Sequence, residues 1–209
     1  MEELSNCVMQ DSLPVLMGRR VLLREPREDD ATLLYEFTSD PQVTRFLAFD
    51  PPGSPDDTLF FIAKCREHRI ADREYVYVIA DVATDRPMGV TGLRHLDRPM
   101  QTAQVGTWLA RKYWGCGANA EAKQLLLDFA FGPLALHRIE ARIAVDNQRS
   151  RRAFERLGAR REGLLRESFF KDGLYHDQDL FVVLEHEWRN RFRREPASRS
   201  AHAGKDEHQ

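Results

Sequence analysis

Lys112-Tyr113-Trp114-Gly115-Cys116-Gly117-Ala118-Asn119 separates the apolar run AQVGTWLA (103–110) from AEAKQLLLDFAF (120–131). In the latter, Ala122, Leu125, Leu126, Phe129 and Ala130 recur at the spacing of one helical face. Strand, glycine loop and helix are therefore contiguous. Glycines let a backbone approach a ligand closely, and a helix start offers free N–H groups at the positive end of its dipole, so the segment predicts a phosphate or pyrophosphate cradle. Read alone, Gly-x-Gly is also an ordinary glycine turn with Asn119 as the helix N-cap. The segment lacks the GK[ST] of a Walker loop and the third glycine of a dinucleotide fingerprint.

Upstream, VLLRE (21–25) reads as a strand, and PREDDATLLYEFTSD places acidic residues before an apolar stripe at Leu33, Leu34 and Phe37. The breaker-rich PPGSPDD (51–57) leads into a second helix, TLFFIAKCREHRIADR. EYVYVIADVATDRPMGVTGLRHLD alternates as two strands with DRPMG as the turn. Downstream, HRIEARIAVDN (137–147) alternates with Ile139, Ala141, Ile143 and Val145 on one face. It ends at Asp146-Asn147-Gln148-Arg149-Ser150, where Asn147 is a natural helix cap and Ser150 falls in the first turn. A short helix stopping near Gly158 follows, then a last pair of strands around Lys171-Asp172-Gly173. Helices interrupt the strands without alternating with each one, so the expected class is α+β, a mixed sheet flanked by helices.

The chain has 209 residues, with 31 Lys+Arg against 33 Asp+Glu and a formal charge of -2. One domain is expected over 15–191, with tails at 1–14 and 192–209. A near-neutral balance gives no global field for nucleic acid or an anionic membrane, so neither is an expected partner. Cys7, Cys65 and Cys116 form no CxxC pair or even-numbered framework, and the first residues lack a basic, apolar leader; both fit a cytoplasmic location. His186-Glu187-Trp188-Arg189-Asn190 lacks the second histidine of a zinc HExxH motif, and no metal is expected.

Taken in order, a set of short motifs resembles the GNAT superfamily of acetyltransferases, specifically its Rim-type branch of ribosomal-protein N-acetyltransferases. They are Leu22–Arg24 with Asp29-Asp30, Gly89, Gly92-Leu93-Arg94, Val105-Gly106, Tyr113–Gly117, Glu121-Ala122, Arg138–Ala141, Asp146-Asn147, Ser150, Leu157–Ala159, Glu162-Gly163, Asp172-Gly173 and His176-Asp177. The resemblance spans about 20–188 and implies a mostly antiparallel sheet with a splayed groove for acetyl-CoA, the acyl donor. It implies that Lys112, Trp114, Gly115, Cys116, Gly117, Ala118 and Asn119 surround the pyrophosphate. Lys112 stands where the family usually has Gln or Arg. By the same resemblance Thr107, Trp108, Leu109 and Asn147 hold the pantetheine arm, and Ser150 lies near the sulfur as a proton donor. Many relatives carry a glutamate base where this chain has Gln104; Glu167, Glu140 and His176 are the candidates left, with Glu167 the catalytic choice beside Ser150, and water the alternative. The implied reaction is direct acetyl transfer to an amine-bearing acceptor, a protein or peptide α-amine first. A small-molecule or antibiotic amine, or a non-catalytic acyl-CoA-binding module, stands as the alternative, and a homodimer is compatible with the resemblance.

Overall fold

The computed structural model describes residues 12–193. One sheet runs β1-β2-β3-β4-β5-β6-β8-β7. Its strands are β1 (Leu16–Met17), β2 (Val21–Arg24), β3 (Tyr75–Asp81), β4 (Pro87–Asp97), β5 (Thr102–Leu109), β6 (Arg138–Ala144), β7 (Arg160–Lys171) and β8 (Leu174–Leu184). The α-helices among the described residues are α1 (Ala31–Thr38), α2 (Pro41–Thr44), α3 (Pro55–Ile70), α4 (Ala118–Phe131), α5 (Gln148–Arg156) and α6 (Glu185–Arg193). Every neighbouring pair is antiparallel except β5 and β6, which run parallel. This is the α+β class expected from the sequence.

β3 lies inside the sheet with helices over both faces, which is why YVYVIA is a continuous apolar run. Tyr75, Tyr77 and Ile79 point into one core with Leu126, Phe129 and Ala130 of α4, while Val76, Val78 and Ala80 point into a second core with Leu34 and Phe37 of α1 and Cys65 of α3. Phe129 meets Tyr75 and Tyr77 edge-on, with ring centroids 6.1 and 5.7 Å away.

The structure differs from the sequence reading in several places. The β3–β4 turn ends at Arg86, so Pro87, Met88 and Gly89 are strand residues. β7 begins at Arg160, well upstream of the Lys171-Asp172-Gly173 turn; its first half is charged and shows no alternation, so the sequence does not mark it. α6 is an unforeseen helix; Trp188 is buried on the core side, and its indole Nε1 donates to Asp128 Oδ1 at 2.7 Å. Leu13, within the stretch expected to be a tail, is 5% exposed and packs in the core. Most of the expected tails, and Cys7, fall outside the described residues.

Arg24, at the end of β2 and 4% exposed, is held by Asp30 just before α1 through two 2.8 Å hydrogen bonds, and its Nε donates to Asp85 Oδ1 at 2.6 Å. Asp30 also accepts from the Arg27 backbone N–H at 2.8 Å, so one carboxylate neutralises a buried guanidinium and closes the turn into the helix. Among the described residues, Asp30→Ala leaves that guanidinium with the half-exposed Asp85 as its one carboxylate partner, beside the Glu25 carbonyl. It is expected to lower stability by about 3 kcal/mol in a denaturant melt, since removing one partner of a buried pair strands the other charge.

Candidate functional site

β5 and β6 share only three rungs, Thr102↔Arg138, Ala103↔Ile139 and Gln104↔Glu140. Beyond them β5 stays with β4 as far as Leu109, and β6 stays with β8 as far as Ala144, so the strands part and a cleft opens between their upper halves. On the α4–α5 side the cleft has a volume of about 640 Å³, bordered by Gly115, Gly117, Asn119, Gln124, Ala153 and Arg156. On the other side a lobe of about 360 Å³ is bordered by the 42–49 segment, Arg94, His95, Gln104, Arg142, Ser168 and Gln178. Thr107, Trp108, Leu109, Trp114, Lys123, Asn147, Arg149 and Ser150 line both.

At the head of the larger lobe, Gly115 and Gly117 have φ of 79° and 88°, left-handed values that favour glycine. Gly117, not Asn119, is the N-cap of α4, and Asn119 sits in the first turn with its Oδ1 accepting from Lys123 Nζ at 2.5 Å. The backbone N–H groups of Gly115, Cys116, Gly117, Ala118 and Asn119 have no acceptor among the described residues. Such a run at a helix start is an anion site. The first-turn carboxylate does not oppose it: Glu121 Oε1 accepts from the backbone N–H groups of Arg19 and Arg20, pinning the β1–β2 loop to α4. Arg20 in turn donates from Nη1 to the Cys116 carbonyl at 2.9 Å, adding a guanidinium beside the loop that the sequence did not reveal.

The other residues singled out in the sequence are placed unevenly. Lys112 lines neither lobe; its Nζ rests over the Phe37 and Tyr113 rings, 4.9 and 5.1 Å from their centroids. Cys116 directs its thiol to the Tyr113 carbonyl at 3.0 Å, and Ala118 is buried beneath the loop. Trp114 is anchored by its Nε1 on the Leu109 carbonyl at 2.8 Å, and the Arg149 guanidinium lies 3.3 Å from its ring centroid, bridging the loop to α5. Asn147 caps α5 by accepting from the Ser150 N–H at 3.1 Å, so the capping role is real, while the Ser150 hydroxyl makes no hydrogen bond among the described residues.

Glu167 lies on an exposed irregularity of β7 with φ of 50°, and neither it, Glu140 nor His176 borders the cleft. Glu140 faces Gln104 on the last shared rung but pairs with Arg138 at 2.8 Å; His176 sits against Phe169, 6.0 Å between rings. His95 does border the smaller lobe. A break in register after Arg94, where His95 takes φ of 52°, turns it out beside the row that holds Gln104.

Among the described residues no Asp or Glu side chain lines either lobe, whereas Lys123, Arg94, His95, Arg142, Arg149, Arg156 and Arg191 do. Lys123, 3% exposed, is pushed down from 10.5 to about 7 by burial and, secondarily, by Arg149. A lysine on the same helical stripe as Leu126, Leu127 and Ala130 was the available sequence signal. A cationic lobe headed by free N–H groups fits a pyrophosphate-bearing ligand. Among the described residues no group of three or more His, Cys, Asp or Glu side chains is arranged to hold a metal ion, and no helix is long and apolar enough to cross a membrane.

Comparison with known proteins agrees with this geometry. Residues 20–160 match the family described as Acetyltransferase (GNAT) domain. The chain is 30% identical to the uncharacterized N-acetyltransferase p20 of Bacillus licheniformis over 84% of its own length and 99% of the relative's. It is 28% identical to the ribosomal-protein-serine acetyltransferase of Escherichia coli over 53% of its length and 62% of the relative's. The crystal structure of spermidine N-acetyltransferase from Vibrio cholerae, in complex with CoA and spermine, superposes with a TM-score of 0.74 at 23% identity, covering 83% of this chain and all of that one.

Gly117→Glu is expected to weaken CoA binding at least ~30-fold by calorimetry, because it sets a carboxylate among the free N–H groups and strains a left-handed residue. A second expectation concerns pH. Unfolding restores Lys123 to its ordinary proton affinity, so the unfolded chain binds more protons from about pH 7 up to 10.5. Across that window the group makes the ligand-free protein more stable as pH rises, and below it the penalty is constant. In denaturant melts at a series of pH values, Lys123→Met should lack this upward slope.

Proposed function

Since the chain belongs to the GNAT acetyltransferase family and is an N-acetyltransferase, we propose that it moves the acetyl group of acetyl-CoA directly onto the α-amine of a protein or peptide. The observation that carries the choice of acceptor is the charge of the smaller lobe. A polyamine brings several positive charges and would be recognised by carboxylates, yet among the described residues Arg94, His95 and Arg142 border this lobe and no acidic side chain does. A single α-amine on a peptide needs no such partner. The name of the Escherichia coli relative is consistent with a protein acceptor.

In this reading the N–H groups of Gly115 to Asn119 receive the pyrophosphate, with Arg20 at the rim. The open edge of β5 at Thr107, Trp108 and Leu109, together with Asn147, aligns the pantetheine arm, and Ser150 stands at the junction of the lobes. Acetyl-CoA supplies an activated thioester carbonyl. The chain must take a proton from the amine, and His95 suits that task because it borders the smaller lobe and an imidazole nitrogen can accept a proton, which the Gln104 amide cannot do. No metal is assigned a part.

CoA release should be measured with free-N-terminus peptides, the same peptides N-blocked but bearing lysine, spermidine and aminoglycosides. The free peptides are expected to exceed spermidine in kcat/KM by ~10-fold or more. A preference for spermidine, or for the blocked lysine peptides, would overturn the assignment. His95→Gln should lower kcat/KM by about 10²-fold while leaving CoA affinity unchanged.

A further inference from the structure

Lys123 is a primary amine where an ammonium finds little support. Its Nζ has Asn119 Oδ1 as its hydrogen-bond acceptor and the Phe154 ring 4.9 Å away. Among the described residues, the charged side chains that border the two lobes with it are cations: Arg149 and Arg156 from α5, Arg191 from α6, Arg142 from β6, and Arg94 with His95 in the smaller lobe; of these, Arg149 is the one whose charge acts on Lys123. On its own helix, Glu121 is turned to the Arg19 and Arg20 backbone and Asp128 to Trp188. From the loop before α4 Tyr113 borders the larger lobe, while Lys112 and Cys116 border neither. A buried cation without an anion is a demand for one.

Acetyl-CoA brings anionic charge at two places, its phosphates and the sulfur as the thioester breaks. The phosphate cradle is at the start of α4, and Lys123 lies six residues beyond Gly117, ~9 Å further along the helix axis. Gly115 and Gly117 border only the larger lobe, whereas Lys123 borders both, with Ser150 and Asn147. That junction is where a thioester would meet an amine entering from the smaller lobe. Acid strength points the same way. An alkyl hydroxyl such as that of Ser150 holds its proton more tightly than a thiol does, but an ammonium lowered to about 7 is a stronger acid than a thiol near ~8.5.

We propose that Lys123 is the proton donor to the departing sulfur of coenzyme A, and that Ser150 orients that sulfur without being the source of the proton. As the acceptor nitrogen bonds to the acetyl carbon and the C–S bond breaks, the sulfur takes a proton from the Lys123 ammonium. The acceptor's surplus proton leaves through His95 or water. The neutral Lys123 amine regains a proton from solvent once the product thiol has gone. The proposal rests on acetyl-CoA occupying this cleft, but not on which amine is acetylated.

The test uses the full chain with Lys123→Met and Lys123→Arg, and first verifies by calorimetry that each binds CoA; loss of CoA binding to wild type itself would refute the cleft assignment and the proposal with it. Wild-type kcat should fall as pH rises past the Lys123 titration in the complex. Lys123→Met should lose about 10²-fold in kcat at neutral pH with that alkaline limb gone, and Lys123→Arg should not restore it, since a guanidinium keeps its proton. Rescue by Arg, an unchanged kcat in Lys123→Met, or a rise confined to the KM for acetyl-CoA would overturn the proposal in favour of a charge or phosphate-binding role. A readout independent of turnover is the NMR titration of the ¹³C-labelled Lys123 side chain in wild-type protein, bound to CoA or to desulfo-CoA, which has the same phosphates and no sulfur. The two midpoints should differ; identical midpoints would overturn the proposal, even if neither variant folds.

Discussion

The parting of β5 from β6 after three rungs is the constraint from which the rest of the molecule takes its arrangement. A strand edge left without a partner is normally a liability, and here it is sustained because each strand is held firmly on its other side, β5 by β4 and β6 by β8. The hold of β4 on β5 is close: a Cβ on Gly89 would lie 2.2 Å from the Trp108 carbonyl oxygen, so only glycine fits there. With both strands fixed, α4 begins at the open end of one and α5 at the open end of the other. Their first turns then face each other across the gap. The cleft is preformed because the sheet on either side cannot relax to close it.

Charge is sorted around this gap. The protein carries slightly more acidic than basic residues, yet among the described residues the charged side chains that border the cleft are all cations. Nearby carboxylates are engaged elsewhere: Glu121 with the β1–β2 loop, Asp179 with Arg161 at 2.7 Å, Glu140 and Glu162 with Arg138 at 2.8 and 2.7 Å, and Asp128 with Trp188. These contacts do two things at once. They brace the elements around the cleft, and they keep negative charge out of a space that must receive phosphates.

The strand–loop–helix unit at 103–131 and the helix start at Asn147 were legible in the sequence because each rests on a local pattern: apolar period, glycine spacing and a capping side chain. The strands β3, β4 and β6 were legible for the same reason. What escaped depends on contacts between distant segments. Lys112 lies in the expected loop, yet its ammonium is drawn onto Phe37 of α1. Asn119 looked like a cap because Gly117 has no side chain to advertise one. His95 reaches the cleft only through a register break in β4, which no alternation predicts. α6 was hidden by its many charges, with Trp188 the buried apolar side chain among its described ones.

The irregularity in β7 at Glu167 has a bearing on how the chain behaves in a crowded solution. An open sheet ends in two margins. The β1 margin is two residues long, too short to template another strand, but β7 runs for twelve and forms the other outer edge. Pairing is broken between Leu165 and Phe169, where Glu167 adopts a left-handed backbone, and Arg160, Arg161, Glu162, Arg166 and Glu167 give the strand mixed charge. A second chain laid along this margin would find its hydrogen-bonding groups out of step and would have to strip water from those charges. The bent, charged edge thus acts as a guard against strand-by-strand polymerisation, protecting the long hairpin while it is still exposed on a nascent chain.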